Sequence, residues 1–143
     1  MSIRSLRIYR TAAELSDAIS NLVSEWPEFH KRTLGQQIVR AADSVSNNIA
    51  EGYGRVAIGE RLQLYMYAEG SAQETANCLD RALNRNLIDE EVHRHLRHTC
   101  RSVSIGIIEF ANAQMEREES YQGPFRERIA KRRAWLVNRR KSR

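Results

Sequence analysis

Scarcity of helix breakers constrains this chain more than any other feature. Only two prolines occur in 143 residues, Pro27 and Pro124, and most of the glycines fall between segments whose apolar residues recur with a 3.6-residue period. Long periodic stretches without Pro or Gly read as helices throughout. The first opens at Thr11-Ala12-Ala13-Glu14, whose Thr hydroxyl and Glu carboxylate can satisfy free N–H groups in a capping box. Leu15, Ile19, Leu22 and Trp26 follow on one face, and Pro27 closes it. The second begins near Thr33 with Leu34, Ile38, Ala41, Val45 and Ile49 as its stripe, and ends at Gly52 and Gly54, expected to adopt the left-handed conformation of helix C-termini.

The third stretch runs from about Ile58 to Asn86, with Leu62, Tyr65, Ala72, Ala76, Leu79 and Leu83 facing inward. Asp89 caps the fourth, with Glu90 and Glu91 in its first turn, and Val92, Leu96, Val103, Ile107 and Phe110 carry its stripe to about Glu118. Four such helices joined by short loops predict an all-α fold, an antiparallel up-down four-helix bundle over residues 1–119. Residues 120–143 are expected to form a separate basic C-terminal extension, removable without loss of the fold because Gly123-Pro124 separates it from the last helix.

Charge is divided at the same boundary. Residues 1–120 carry 14 Lys+Arg against 17 Asp+Glu, net −3, whereas residues 121–143 carry 9 against 1, net +8. A localised basic block attracts polyanions. Arg126, Arg128, Lys131, Arg132, Arg133, Arg139, Arg140 and Lys141 are thus the candidate nucleic-acid contacts, and Arg4, Arg7 and Arg10 form a smaller second group. Phe125, Ile129 and Leu136 can share one helical face, so the extension reads either as a solvated tail or as a helix ordering on nucleic acid, a partner or the bundle.

Cys78 and Cys100 read as buried, reduced thiols at similar heights on the third and fourth helices. His93, His95 and His98 lack the Glu-x-x-His pairing on facing helices that a bundle metal site requires, so no metal or cofactor is expected. No phosphate-binding loop or nucleophile–base motif points to an enzyme. No apolar run approaches the roughly 18 residues of a membrane span, and the opening Met1-Ser2-Ile3-Arg4-Ser5-Leu6 lacks a signal-peptide core, so a cytoplasmic protein is expected.

Residues 38–55, Ile-Val-Arg-Ala-Ala-Asp-Ser-Val-Ser-Asn-Asn-Ile-Ala-Glu-Gly-Tyr-Gly-Arg, followed by Ala68-Glu69-Gly70-Ser71-Ala72-Gln73-Glu74, carry a resemblance to a known family. The chain resembles the four-helix-bundle proteins encoded in intervening sequences of bacterial 23S rRNA genes, which include the accessory variability protein of diversity-generating retroelements. It departs from them in having Ser46 where they usually have proline, and in its basic extension. The resemblance implies a ring-shaped homopentamer without enzymatic activity. It also implies, for the retroelement branch, binding of nucleic acid and a reverse transcriptase.

The motif has a reading of its own. Ser44, Asn48, Glu51 and Arg55 form a polar stripe at helical spacing. Gly70, inside a helix, is expected to mark close approach of another backbone, with Ser71 and Glu74 flanking it. Glu51 and Glu74 are expected to accept hydrogen bonds near helix starts or from Arg40 and Arg55, and together with Gly52 these residues read as a packing and capping network. Tyr65-Met66-Tyr67 cannot all face one core, which predicts a subunit contact. Two functions follow: an oligomeric nucleic-acid-binding or nucleoprotein accessory factor for RNA or DNA, or a protein-interaction scaffold without nucleic acid.

Overall fold

The computed structural model describes residues 2, 3 and 6–141, apart from the side chains of Arg140 and Lys141. Every regular element among them is helical: α1 Arg7–Ser24, the single turn α2 Glu28–His30, a π-helical turn Lys31–Gly35, α3 Gln36–Tyr53, α4 Ile58–Asn84, α5 Glu90–Arg117 and α6 Phe125–Lys141. Arg4, a candidate basic residue, lies outside the described residues.

The apolar stripes account for the packing of these helices into a bundle. Buried side chains divide into two clusters. One holds Ala12, Val45, Ile49, Leu62, Tyr65, Ala68, Ala72, Val103, Ile107, Ile108, Ala111 and Met115. The other holds Leu15, Ile19, Val23, Trp26, Leu34, Ile38, Ala42, Cys78, Leu79, Ala82, Leu96 and Cys100. Along α1, α3, α4 and α5 the chain passes from one cluster to the other in alternating directions. Opposed contacts between α4 and α5 agree: the Tyr65 hydroxyl donates to Gln114 Oε1 at 3.2 Å, whereas Asp80 meets His93 at 2.8 Å.

Four local expectations change. Helix α1 starts at Arg7, a turn before the Thr11 box, and Leu6 at its N-cap supplies no side-chain bond. Ile8 and Tyr9 pack against the first cluster, so tertiary burial extends the helix past its best local cap. Helix then resumes directly after Pro27, whose fixed φ suits a helix start, well before Thr33.

Neither Gly52 nor Gly54 is left-handed; the only positive φ among the described residues is at Asn86, 58°, in the turn between α4 and α5. Gly52 is needed for space instead, because a Cβ there would lie 2.7 Å from Cε1 and 3.0 Å from Cδ1 of the Tyr65 ring. Gly70, expected at a close approach, is exposed and has nothing within 4 Å of an added Cβ. The two glycines should therefore respond oppositely to alanine. Gly52→Ala is expected to destabilise by about 1–2 kcal/mol, overpacking against the buried Tyr65 outweighing the helix-propensity gain. Gly70→Ala is expected to stabilise by roughly 0.5–1 kcal/mol. Denaturant melts of both variants check this, and equal shifts of one sign would contradict it.

The turn into α5 follows the sequence reading: Asp89 Oδ1 accepts from the Val92 N–H at 2.8 Å. Cys78 and Cys100 are both buried in one cluster. Burial pushes the Cys78 thiol up and the Cys100 thiol to about 12, so both are protonated and unreactive near neutrality. Tyr65 fills the core, half-buried Met66 packs against it, and Tyr67 faces outward at 55% exposure.

Candidate nucleic-acid interface

Residues 125–141 form α6, which lies against α4 and α5. Ile129 and Leu136 belong to the first core cluster and Phe125 packs at its edge, so the apolar face anticipated from spacing is the docking face. A buried ion pair adds to it. Glu69 on α4 is 1% exposed and accepts from Arg132 Nε and from Gln73 Nε2. A buried carboxylate is tolerable only when paired in this way, so Arg132 sets the register of α6 on α4.

That docking sorts the basic residues of the extension. Arg126 donates from Nε to the Tyr121 carbonyl at 2.8 Å, and Arg128 lies over the Phe125 ring at 5.6 Å. Lys131 pairs with Glu127 at 3.0 Å on the exposed side, and Arg133 with Glu109 of α5 at 2.8 Å. The hydrogen bond and charge of Glu109 raise the Arg133 pKa above the ordinary guanidinium value. The guanidiniums of Arg132 and Arg139 stand 4.3 and 4.8 Å from the Trp135 ring centroid. The side chains of Arg140 and Lys141 lie outside the described residues. The basic residues thus point to several sides of α6, as alternate faces of one helix must.

One of those sides faces a depression. Between α4, α5 and α6 runs a groove of about 630 Å³, to which Arg132, Trp135 and Arg139 contribute from α6. Its opposite wall is α5, with Arg94, Arg97 and Arg101, and with His93 and His98 beside them. Five arginines line the groove against two carboxylates, Asp80 and Glu90. Asp80 orders the floor: its Oδ1 lies 2.8 Å from His93 Nε2 and 3.3 Å from Arg97 Nε. Trp135 stays 45% exposed at the rim.

The α5 arginines were not among the sequence candidates, because they sit in a region of net negative charge. A signal was present, since positions 94, 97 and 101 are spaced i, i+3 and i+7 and so share a helix face. What that face meets depends on α6.

The residues of the α3 and α4 motifs do not converge on one site. Ser44 Oγ donates to the Arg40 carbonyl and Asn48 Nδ2 to the Ser44 carbonyl, both at 2.8 Å within α3. Glu51 accepts from Arg55 at 2.8 Å, one of the partners expected for it. That bond and charge raise the Arg55 pKa. Ser71 offers its carbonyl to Thr75 Oγ1 at 2.8 Å, and Glu74 is exposed. Ser46 donates to the Asp43 carbonyl at 3.3 Å. Among the described residues, no group of three His, Cys, Asp or Glu side chains could hold a metal ion, and no helix is long and apolar enough to cross a membrane.

A family model described as "23S rRNA-intervening sequence protein" matches residues 4–109. Among solved structures, a protein of unknown function from the S23 ribosomal protein family of Bacteroides thetaiotaomicron VPI-5482 is similar in fold. The TM-score is 0.66 at 18% identity, covering 73% of this chain and 97% of that one. No curated protein matches significantly. Helix α6, and with it one wall of the groove, lies beyond the matched residues.

Proposed function

The chain belongs to the 23S rRNA-intervening sequence protein family, and from that premise we propose that it is a non-enzymatic nucleic-acid-binding protein, a nucleoprotein accessory factor of the cytoplasm that binds through the groove between α4, α5 and α6. The observation that carries this reading is the facing of Arg94, Arg97 and Arg101 on α5 by Arg139 and the exposed Trp135 on α6. Guanidiniums release phosphate counterions on binding, and an aromatic at the rim supplies contact area that charge alone does not. In this reading α1, α3, α4 and α5 are the antiparallel up-down four-helix bundle of residues 1–119, supported by the alternating passage of the chain between the core clusters. Helix α6, within the extension 120–143, completes the binding wall with Arg132, Trp135 and Arg139.

The test is the affinity for a random-sequence RNA oligonucleotide as salt is raised. Phosphate neutralisation predicts a steep linear fall of log affinity with log salt, and absence of binding at low salt would refute the reading.

We also propose self-association, as a homopentamer, through the outer face of α4. Tyr67 is exposed there. A ring would multiply the groove and raise avidity without new contacts. Light scattering is expected to give several times the mass of one chain, and a monomer at micromolar concentration would exclude it. A reverse transcriptase or another protein partner is the second reading, favoured by Val137, which leaves apolar surface exposed on α6.

A further inference from the structure

Resting on the nucleic-acid reading of the groove, we infer that it selects single strands over duplexes, with the Trp135 indole as a platform for one unstacked base and the α5 arginines beside it for the adjoining phosphates. Three observations carry this. The first is size: about 630 Å³ falls in the range of small-ligand sites, roughly 300–1,000 Å³, which suits one or two nucleotides. A duplex presents only its phosphate ridge to such a groove, because its bases are stacked inside.

The second is the state of Trp135. The residue is 45% exposed, and the Arg132 and Arg139 guanidiniums lie over its ring within 5 Å of the centroid. A base stacking there takes the place of one of the two guanidiniums over the ring, in a cationic setting that favours an electron-rich base together with its phosphate. Aromatic platforms combined with arginines are how proteins hold unpaired bases, whereas a surface reading only duplex phosphate has no use for an exposed indole.

The third is preorganisation. Leu136, next to Trp135, is buried in the core, and Arg132, one turn earlier, is held by the buried Glu69 carboxylate. The platform thus stands on a fixed segment of α6. Arg132 is a positioning residue here, its charge matched by the buried Glu69.

The chain contains two tryptophans, and Trp26 is only 7% exposed and outside the groove, so quenching of the emission by a ligand in the groove reports on Trp135. The experiment titrates the full-length protein with a mixed-sequence 12-nucleotide RNA and, separately, with the same strand annealed to its complement. The single strand is expected to quench the emission and to bind more tightly than the duplex. Trp135→Ala, at a half-open position where the fold should survive, is expected to weaken single-strand binding by roughly 5- to 100-fold, the loss typical of one stacked base. Duplex binding should barely change, and circular dichroism confirms the helices. Equal affinity for both probes, or unchanged single-strand affinity in the variant, would overturn single-strand selection while leaving the basic groove as the binding site. Failure of both probes to bind at low salt would remove the groove reading itself.

Discussion

Replacing Arg132 with alanine is expected to cost about 3 kcal/mol of stability, and the melting temperature should fall by on the order of 10 °C. The reason is the fate of its partner. Glu69 is 1% exposed and is left with only the Gln73 amide, and removing one partner of a buried pair strands the other charge. Glu69→Gln in the same background should recover part of the loss, because it removes the uncompensated charge and keeps the shape. Additive losses in the double variant would mean that the pair is not what holds α6. Deleting residues 121–143 should cost still more. Besides the stranded carboxylate it uncovers the sites of Ile129 and Leu136, each worth about 1.5–3 kcal/mol of burial. The separability suggested by Gly123-Pro124 thus meets a docking face that spacing alone could not weigh. A truncated protein with an unchanged melting curve would show that α6 contributes nothing to the core.

The second large effect concerns the α5 wall. Changing Arg94, Arg97 and Arg101 together to glutamine is expected to weaken RNA binding at least about tenfold at low salt. It should also reduce the slope of log affinity against log salt by roughly two, at about 0.7 for each phosphate contact on a single strand. The melting temperature should fall less than in Arg132→Ala, since Arg94 and Arg97 are exposed, Arg101 is half-buried and Arg97 shares Asp80 with His93. Changing Lys131 and Arg133, which pair on the outer sides of α6 with Glu127 and Glu109, makes the contrasting control and should leave the slope nearly unchanged. The reverse pattern would place the binding element on the outer face of α6 and away from the groove.

What was legible in the sequence was local or periodic. Most inward residues of the four long stripes, among them Leu15, Ile38, Leu62 and Ile107, are buried, and Leu22, Leu83 and Val92 partly so, because a 3.6-residue period leaves one face of a helix no alternative to the core. Asp89 was readable as a cap because its partner, the Val92 N–H, is three residues away. The family resemblance was legible for the same reason, since it rests on a continuous motif. The grooved site was not. Arg94, Arg97 and Arg101 can be placed on one face from their spacing, but nothing local says that Trp135 and Arg139 lie opposite.

The glycines make the same point in the core. Gly52 reads from sequence as a helix terminator and Gly70 as a close approach, and only the position of the Tyr65 ring decides which one needs the absence of a Cβ. Extension of α1 back to Arg7 had the same origin, in the burial of Ile8 and Tyr9 by another helix. By itself, then, the sequence determined helical class, helix faces and the concentration of positive charge in the last 23 residues, because each follows from neighbours within a few turns. The tertiary structure alone decided that this charge is split between a buried pair, outer ion pairs and one wall of a groove. The docking of α6 depends on contacts 63 residues apart, between Glu69 and Arg132, and pairings at that separation leave no trace in local spacing.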